Sequence, residues 1–222
     1  ESPQPAYLCL CTPSGIAEFG ACTDLFAPDV YPVGHGPLTM IADRLDLTRQ
    51  VAGERPIWFI GQVWPYKDRP NVTPRQHRCM TFLALTHGDV HGLLWYSLND
   101  PGWYLPESHP ALWDMCGVVN RQLEELEPVL LTRVLWEHVQ KSGEGEIHLA
   151  ARQHADKLFI IAVNPTDAAS RLTLDLAKLG ADPTGLAREI FEQRDPELND
   201  GILRDHFAPL DVRVYAVSMT RR

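Results

Sequence analysis

In the first half of the chain, short apolar runs closed by turn residues alternate with longer stretches whose apolar positions recur at helical spacing. Ala6 to Cys11 is an apolar run closed by Thr12-Pro13-Ser14-Gly15, which predicts a strand followed by a turn. Thr23 to Pro32 is a second extended segment. Leu38, Ile41, Leu45 and Val51 then follow a helical period, with Gly53 just past the end where a capping glycine belongs. Pro56 to Trp64 is almost continuously apolar, as expected of a strand covered on both faces in a parallel sheet. A helix over 73–86 with Pro74 in its first turn, a fourth strand over 92–98, and a helix over 109–126 ending near Pro128 complete the series. Strand–helix alternation of this kind implies parallel strands joined by right-handed crossovers. Four such units are expected, the first with an irregular connection in place of a helix.

After Lys141-Ser142-Gly143-Glu144-Gly145 the pattern changes. Short strand candidates at 147–151, 158–164, 171–176, 189–192 and 212–217 are separated by turns, with little room for helices. The expected fold class is therefore α/β and then all-β. An α/β domain over 1–140 is followed by a small antiparallel β-sandwich over 146–222.

Composition narrows the partners. The 222 residues carry a formal net charge of -9, and the basic residues are scattered. Nucleic acid needs a concentrated Lys/Arg face, so it is not an expected partner. No apolar run approaches the roughly 18 residues that span a bilayer, so no membrane partner is expected either. The five cysteines do not form zinc-type pairs and read as buried free thiols acting as small hydrophobes. His77, His87 and His91 lack the helical His-Glu-His spacing of a zinc site, and Asp195, Glu197, Asn199 and Asp200 lack the spacing of a calcium loop. No metal site is expected. Glycine-rich nucleotide loops and a G-x-S-x-G elbow are absent from the sequence, and no cofactor is expected. The Glu1-Ser2-Pro3 start, with no initiator Met or signal-peptide pattern, suits the end of a longer polypeptide or a processed one.

The segments D…APDVYP (Asp24 to Pro32), RPIWFIGQVW (Arg55 to Trp64), HGLLWYSLND (His91 to Asp100) and RCMTFLALTHG (Arg78 to Gly88) stand in a telling order. With LFIIAVNPTD and HFAPLDVRVYAV in the second half, they resemble the C-terminal half of a glycoside-hydrolase-type (β/α)8 barrel with its following β-sandwich. The resemblance implies that the first domain is a half barrel, strands five to eight of a TIM-type fold. It also implies a carbohydrate partner and a site at the strand C-termini. Two departures follow from it. The general acid that such enzymes carry on strand four would lie outside this chain. The end of strand seven, where many relatives hold a nucleophilic Glu, reads Gln62, and an amide cannot act as the second carboxylate.

Within that frame Asp29 is the candidate catalytic residue, as base or as a clamp on sugar hydroxyls; the competing reading is a turn cap before Tyr31-Pro32. Tyr31, two residues on, shares its strand face and would orient it. Gln62, Trp64, Trp95 and Asn99 are the candidate substrate-binding residues, through amide hydrogen bonds and ring stacking. Core packing for the tryptophans and backbone satisfaction for Gln62 are the plainer alternatives. Asn99 and Asp100 close the fourth strand in a turn first of all and form a hydroxyl clamp only second. Asp24 is a runner-up carboxylate, placed at the wrong end of its strand. An isolated half barrel would expose its inner apolar surface and an unpaired edge, so a homo-oligomer or a complementary barrel half is the expected partner. The competing functional expectation is a non-catalytic carbohydrate-binding or scaffold protein derived from such a barrel.

Overall fold

The structure, a computed structural model, describes residues 4–65, 69–182, 186–192 and 194–219; the Glu1-Ser2-Pro3 start lies outside them. The chain divides into two compact units, Glu1–Gly117 and Val118–Arg222.

The first unit alternates strands and helices: β1 (Tyr7–Leu10), α1 (Pro13–Phe19), β2 (Leu25–Val30), α2 (Met40–Ala52), β3 (Trp58–Gln62), α3 (Pro74–Ala84) and β4 (Gly92–Tyr96). The sheet order is β1-β2-β3-β4 and every neighbouring pair is parallel. The first connection, expected to be irregular, is helical. The Thr12 hydroxyl caps α1 by accepting from the Gly15 N–H at 3.1 Å, which offsets the poor propensity of its Pro-Ser-Gly start. In α3, Thr73 and Gln76 cap each other reciprocally and Pro74 occupies the first turn.

Beyond β4 a short hairpin, β5 (Asn99–Asp100) and β6 (Trp103–Tyr104), leads into α4 (Leu105–Ser108) and α5 (Pro110–Leu130). The helix α5 runs through Pro128, past its expected end, because a proline so near the C-terminus removes one hydrogen bond and leaves the remaining turn to close on Leu131 and Thr132. The division between the two units falls inside α5.

Strand parity separates two faces of the parallel sheet. Phe26, Val30, Phe59 and Trp95 point toward the helices, where Arg55 lies 4.6 Å over the Phe26 ring and His77 of α3 meets Trp95 edge-on at 4.6 Å. Buried Ile41, Leu45, Met80 and Phe82 fill that layer. Tyr7, Cys9, Ala27, Asp29, Trp58, Ile60, Leu94 and Tyr96 point the other way. Four of these are large and solvent-exposed: Tyr7 47%, Trp58 38%, Leu94 38% and Tyr96 41%. One face of the sheet is thus sealed by helices and the other lies open.

His77 is fully buried on the sealed side, and neither ring nitrogen has a hydrogen-bond partner among the described residues. Burial lowers its pKa from 6.5 to about 4. The unfolded chain therefore takes up a proton below pH 6.5 that the folded chain refuses until about pH 4. Stability is complete above that window and falls across it, by roughly 3 kcal/mol at its acid end. Denaturant titrations between pH 7 and 4 should show this slope in the wild type and a much flatter one in His77→Phe.

The second unit is antiparallel. Its strands are β7 (Val134–Ser142), β8 (Gly145–His154), β9 (Lys157–Val163), β10 (Ser170–Asp175), β11 (Ala187–Glu189), β12 (Glu197–Asn199), β13 (Ile202–Phe207) and β14 (Val212–Ser218). One sheet has the order β11-β14-β9-β8-β7 and the other β10-β13-β12. Leu149, Ile160 and Tyr215 from the first and Leu172, Leu203 and Phe207 from the second share one buried core. The stretch 141–145, expected to divide the domains at 140/146, is the turn of the β7–β8 hairpin, so residues 134–140 belong to the second unit's sheet. The acidic stretch near Asp195 continues into another hairpin, β12–β13, which turns at Asp200-Gly201 with both residues at positive φ. Buried Asp205 accepts from the Tyr215 hydroxyl at 2.6 Å and from Arg194 at 2.5 Å, which holds its carboxyl below the usual carboxylate range despite burial.

Candidate functional site

The open face of the first unit carries its chemistry at the C-terminal ends of the strands. Asp29 is the only carboxylate among the β1–β4 residues on that face, and it sits half-buried at the end of β2. It accepts hydrogen bonds from the Tyr31 hydroxyl and the Cys9 thiol, while its Oδ1 is buried with no hydrogen-bond partner among the described residues. Burial pushes the Asp29 carboxyl above its ordinary value, against those two hydrogen bonds, which favour the ionised form. Cys9, Cys11 and Cys22 are exposed rather than buried as expected, and only Cys79 and Cys116 are buried. The Cys9 thiol, partly covered at the strand, is raised to about 11 by desolvation and by the neighbouring Asp29 charge, so it remains protonated and donates. Burial and the bond to Asp29 likewise keep the Tyr31 phenol protonated well above its usual range.

An aromatic group adjoins this carboxyl. The Tyr31 ring stacks on Tyr96 with centroids 5.8 Å apart and an angle of 26°. Trp64 meets Tyr96 edge-on at 6.0 Å. The Tyr96 hydroxyl donates to Asp100 on the hairpin that follows β4. Asp29, Tyr31 and Trp64 are therefore brought together through Tyr96, while Asn99 is exposed at the start of the hairpin, paired with Tyr104.

Two of the expected substrate contacts are corrected. Gln62 is fully buried and its amide is consumed by backbone. Oε1 accepts from the Val33 N–H at 3.0 Å, and Nε2 donates to the carbonyls of Trp64 at 3.1 Å and Val33 at 3.3 Å. It latches the loop after β2 to the loop after β3 and thereby fixes the backbone just beyond Tyr31. Gln62→Leu would leave the buried Val33 N–H without its acceptor, so a loss of roughly 2 kcal/mol is expected in urea unfolding. Gln62→Glu should also destabilise, and it should confer no cleavage activity, because the side chain is directed into the loops.

Trp95 faces the helices. Its ring covers Gly61, where an added Cβ would come within 2.3 Å of it, and packs edge-on to Phe59 and His77. Of that run Leu94 and Tyr96 lie on the open face, and Tyr96, like Cys9, is not among the expected site residues, whereas Asp100 is expected in the turn after the strand. In an apolar run such as Gly92–Tyr96 both parities look alike. The β3 register, pairing Gln62 with Tyr96, decides which ring enters the site. Trp103 is buried in the hairpin, with its indole N–H donating to the Ser97 carbonyl at 3.2 Å. Asp24 accepts from the Ala6 N–H at 2.8 Å at the opposite end of β2, a structural bond. Among the described residues no group of three or more His, Cys, Asp or Glu side chains is arranged to hold a metal ion, and no helix is long and apolar enough to cross a membrane.

Comparison with known proteins agrees with this architecture at the level of fold. No protein-family model and no curated protein matches the sequence. Among solved structures, the chain is similar to a variant of AmyP in complex with maltotriose, at 9% identity and a TM-score of 0.60, over 87% of this chain and 48% of that one. It is similar to a putative alpha-galactosidase from Bacteroides fragilis at 13% identity and a TM-score of 0.57, over 97% of this chain and 47% of that one. Alpha-galactosidase I from Mortierella vinacea matches at 12% identity and a TM-score of 0.54, over 99% of this chain and 60% of that one. The chain has a glycoside-hydrolase-type fold. It spans about half the length of the first two of these structures and three-fifths of the third.

Proposed function

We propose that the first unit is the C-terminal half of a (β/α)8 barrel, with β1–β4 in the places of strands five to eight, and that it acts on the glycosidic bonds of a polysaccharide or oligosaccharide. The observation that carries this reading is Asp29. It is the only carboxylate among the β1–β4 residues on the open face, it lies at the C-terminal end of a parallel strand, and burial raises its pKa in the direction a proton donor requires. Tyr31 orients the carboxyl, and Trp64 and Tyr96 supply ring faces for a pyranose. Glycoside hydrolysis needs two carboxyl groups, about 5 to 10 Å apart. The second comes from whatever closes the open face, a complementary half barrel or a second copy of the chain. The exposed rings at Tyr7, Trp58 and Tyr96 and the edge strands β1 and β4 support such a partner.

A second reading is favoured by Gln62. An amide locked in backbone hydrogen bonds where a nucleophilic carboxylate would stand suits a carbohydrate-binding relative that has no chemistry. Electrophoresis through gels cast with soluble polysaccharides, run beside a reducing-sugar assay, separates the readings. Retardation with sugar release supports the hydrolase, retardation without release supports the binding protein, and neither effect on any substrate removes both.

A further inference from the structure

The open-face cluster contains a second carboxylate that does not stand on the sheet. Asp100 belongs to the β5–β6 hairpin, whose register pairs Asn99 with Tyr104 and Asp100 with Trp103. That hairpin is well anchored. Trp103 is buried beneath it with its indole bonded to Ser97, and the Leu105 N–H donates to the Leu98 carbonyl at 2.9 Å. The backbone of Tyr96 is anchored as well, since its carbonyl accepts from the N–H groups of Val63 at 2.8 Å and Trp64 at 3.1 Å.

The Tyr96 side chain is different. It is 41% exposed, so packing alone leaves its rotamer open. Three contacts choose it: the stack on Tyr31, the edge of Trp64 and the hydroxyl bond to Asp100. The last has a charged acceptor, which makes it the strongest directional restraint of the three. Tyr31 is held from two sides, by the Tyr96 ring and by its hydroxyl bond to Asp29. Two carboxylates on different elements are thereby joined through two stacked phenols, across the strand that separates β2 from β4.

We propose that Asp100 is a positioning residue for Asp29, acting through the stacked rings of Tyr96 and Tyr31. Asp100 holds Tyr96, Tyr96 seats Tyr31, and Tyr31 keeps its hydroxyl on Asp29 so that the carboxyl holds one orientation at the end of β2. The hairpin after β4 thus sets the geometry of a carboxyl two strands away. This rests on the reading of Asp29 as the working carboxyl of the sugar site, and the test is made without substrate so that the two can fail separately.

The Asp29 carboxyl carbon is followed by carbon-13 NMR as a function of pH, its resonance assigned by its disappearance in Asp29→Asn. Tyr31→Phe removes the direct donor and should raise the Asp29 midpoint, because a hydrogen bond to the ionised form is lost. Tyr96→Phe keeps the ring and the Asp100 charge and removes only the hydroxyl, and it should raise the same midpoint by roughly half a pH unit. In an Asp100→Ala background, Tyr96→Phe should move the midpoint by less than about 0.2 units, since the link is already broken. A midpoint unmoved by Tyr96→Phe overturns the proposal, as does a shift that persists at full size without Asp100. Tyr96→Phe alters an exposed hydroxyl, and a thermal melt matching the wild type confirms that the variant folds. Absence of sugar release by the wild type would count against the function of the site and leave this coupling standing.

Discussion

Asp29→Asn is expected to abolish glycoside cleavage while raising the thermal stability of the first unit. The activity loss follows from the role: an amide can neither deliver nor take up the proton, and general acid–base catalysis contributes about 100- to 10,000-fold. The stability gain follows from burial. The folded-state pKa of Asp29 lies above its ordinary value because a desolvated carboxylate is disfavoured. Its contribution to stability is therefore complete below the unfolded pKa and is lost as pH rises through the folded one. Asn carries no charge to desolvate, so the variant escapes that loss, and its advantage over the wild type should be present at pH 7 and vanish near pH 3. Melting curves at the two pH values read this directly. A variant that melts below the wild type at neutral pH would mean that the ionised carboxyl is a structural anchor.

The second large effect concerns assembly. Leu94→Glu should abolish self-association or pairing with a complementary half and leave the isolated unit folded. Leu94 sits on the open face in register with Ile60 and Asp29, and at 38% exposure its removal leaves no sealed cavity. A charge placed there would be buried unpaired in any partnered form, at a cost of several kcal/mol, but solvated in the free one. Sedimentation of wild type and variant distinguishes the outcomes. Assembly that survives Leu94→Glu would show that the partner docks elsewhere. A substitution on the sealed side, such as Phe82→Ala, should by contrast cost about 3–5 kcal/mol and leave the partner surface intact.

Much of this fold is legible in the sequence because β3 and β4 carry apolar residues on both of their faces, the mark of strands in a parallel sheet. Capping by Thr73 and Gly53 likewise marks helix ends in residues. The alternation of β13 is harder to read, since one of its three inward positions is Asp205, a charge made tolerable by Tyr215 and Arg194. Strand β7 is obscured for another reason: it directly follows a helix, and its own residues, from Val134 to Ser142, mix apolar and polar types on both faces. In the site, Asp29 and Tyr31 are legible because a spacing of two places them on one face. Gln62 and Trp95 are not, because their roles depend on what lies opposite. One is answered by the backbone of a loop distant in sequence, the other by a glycine on the next strand. Cys9 and Tyr96 emerge only once the parallel register is known.

The measurement that tests the central claim most directly is reducing-sugar release from a panel of polysaccharides by the purified chain, in the assembly state in which it is isolated, between pH 4 and 8. The expected result is release from at least one substrate, with activity falling on the alkaline side as Asp29 loses its proton. No release from any substrate by an assembled form whose open face is closed would contradict a hydrolytic site at the ends of β1–β4.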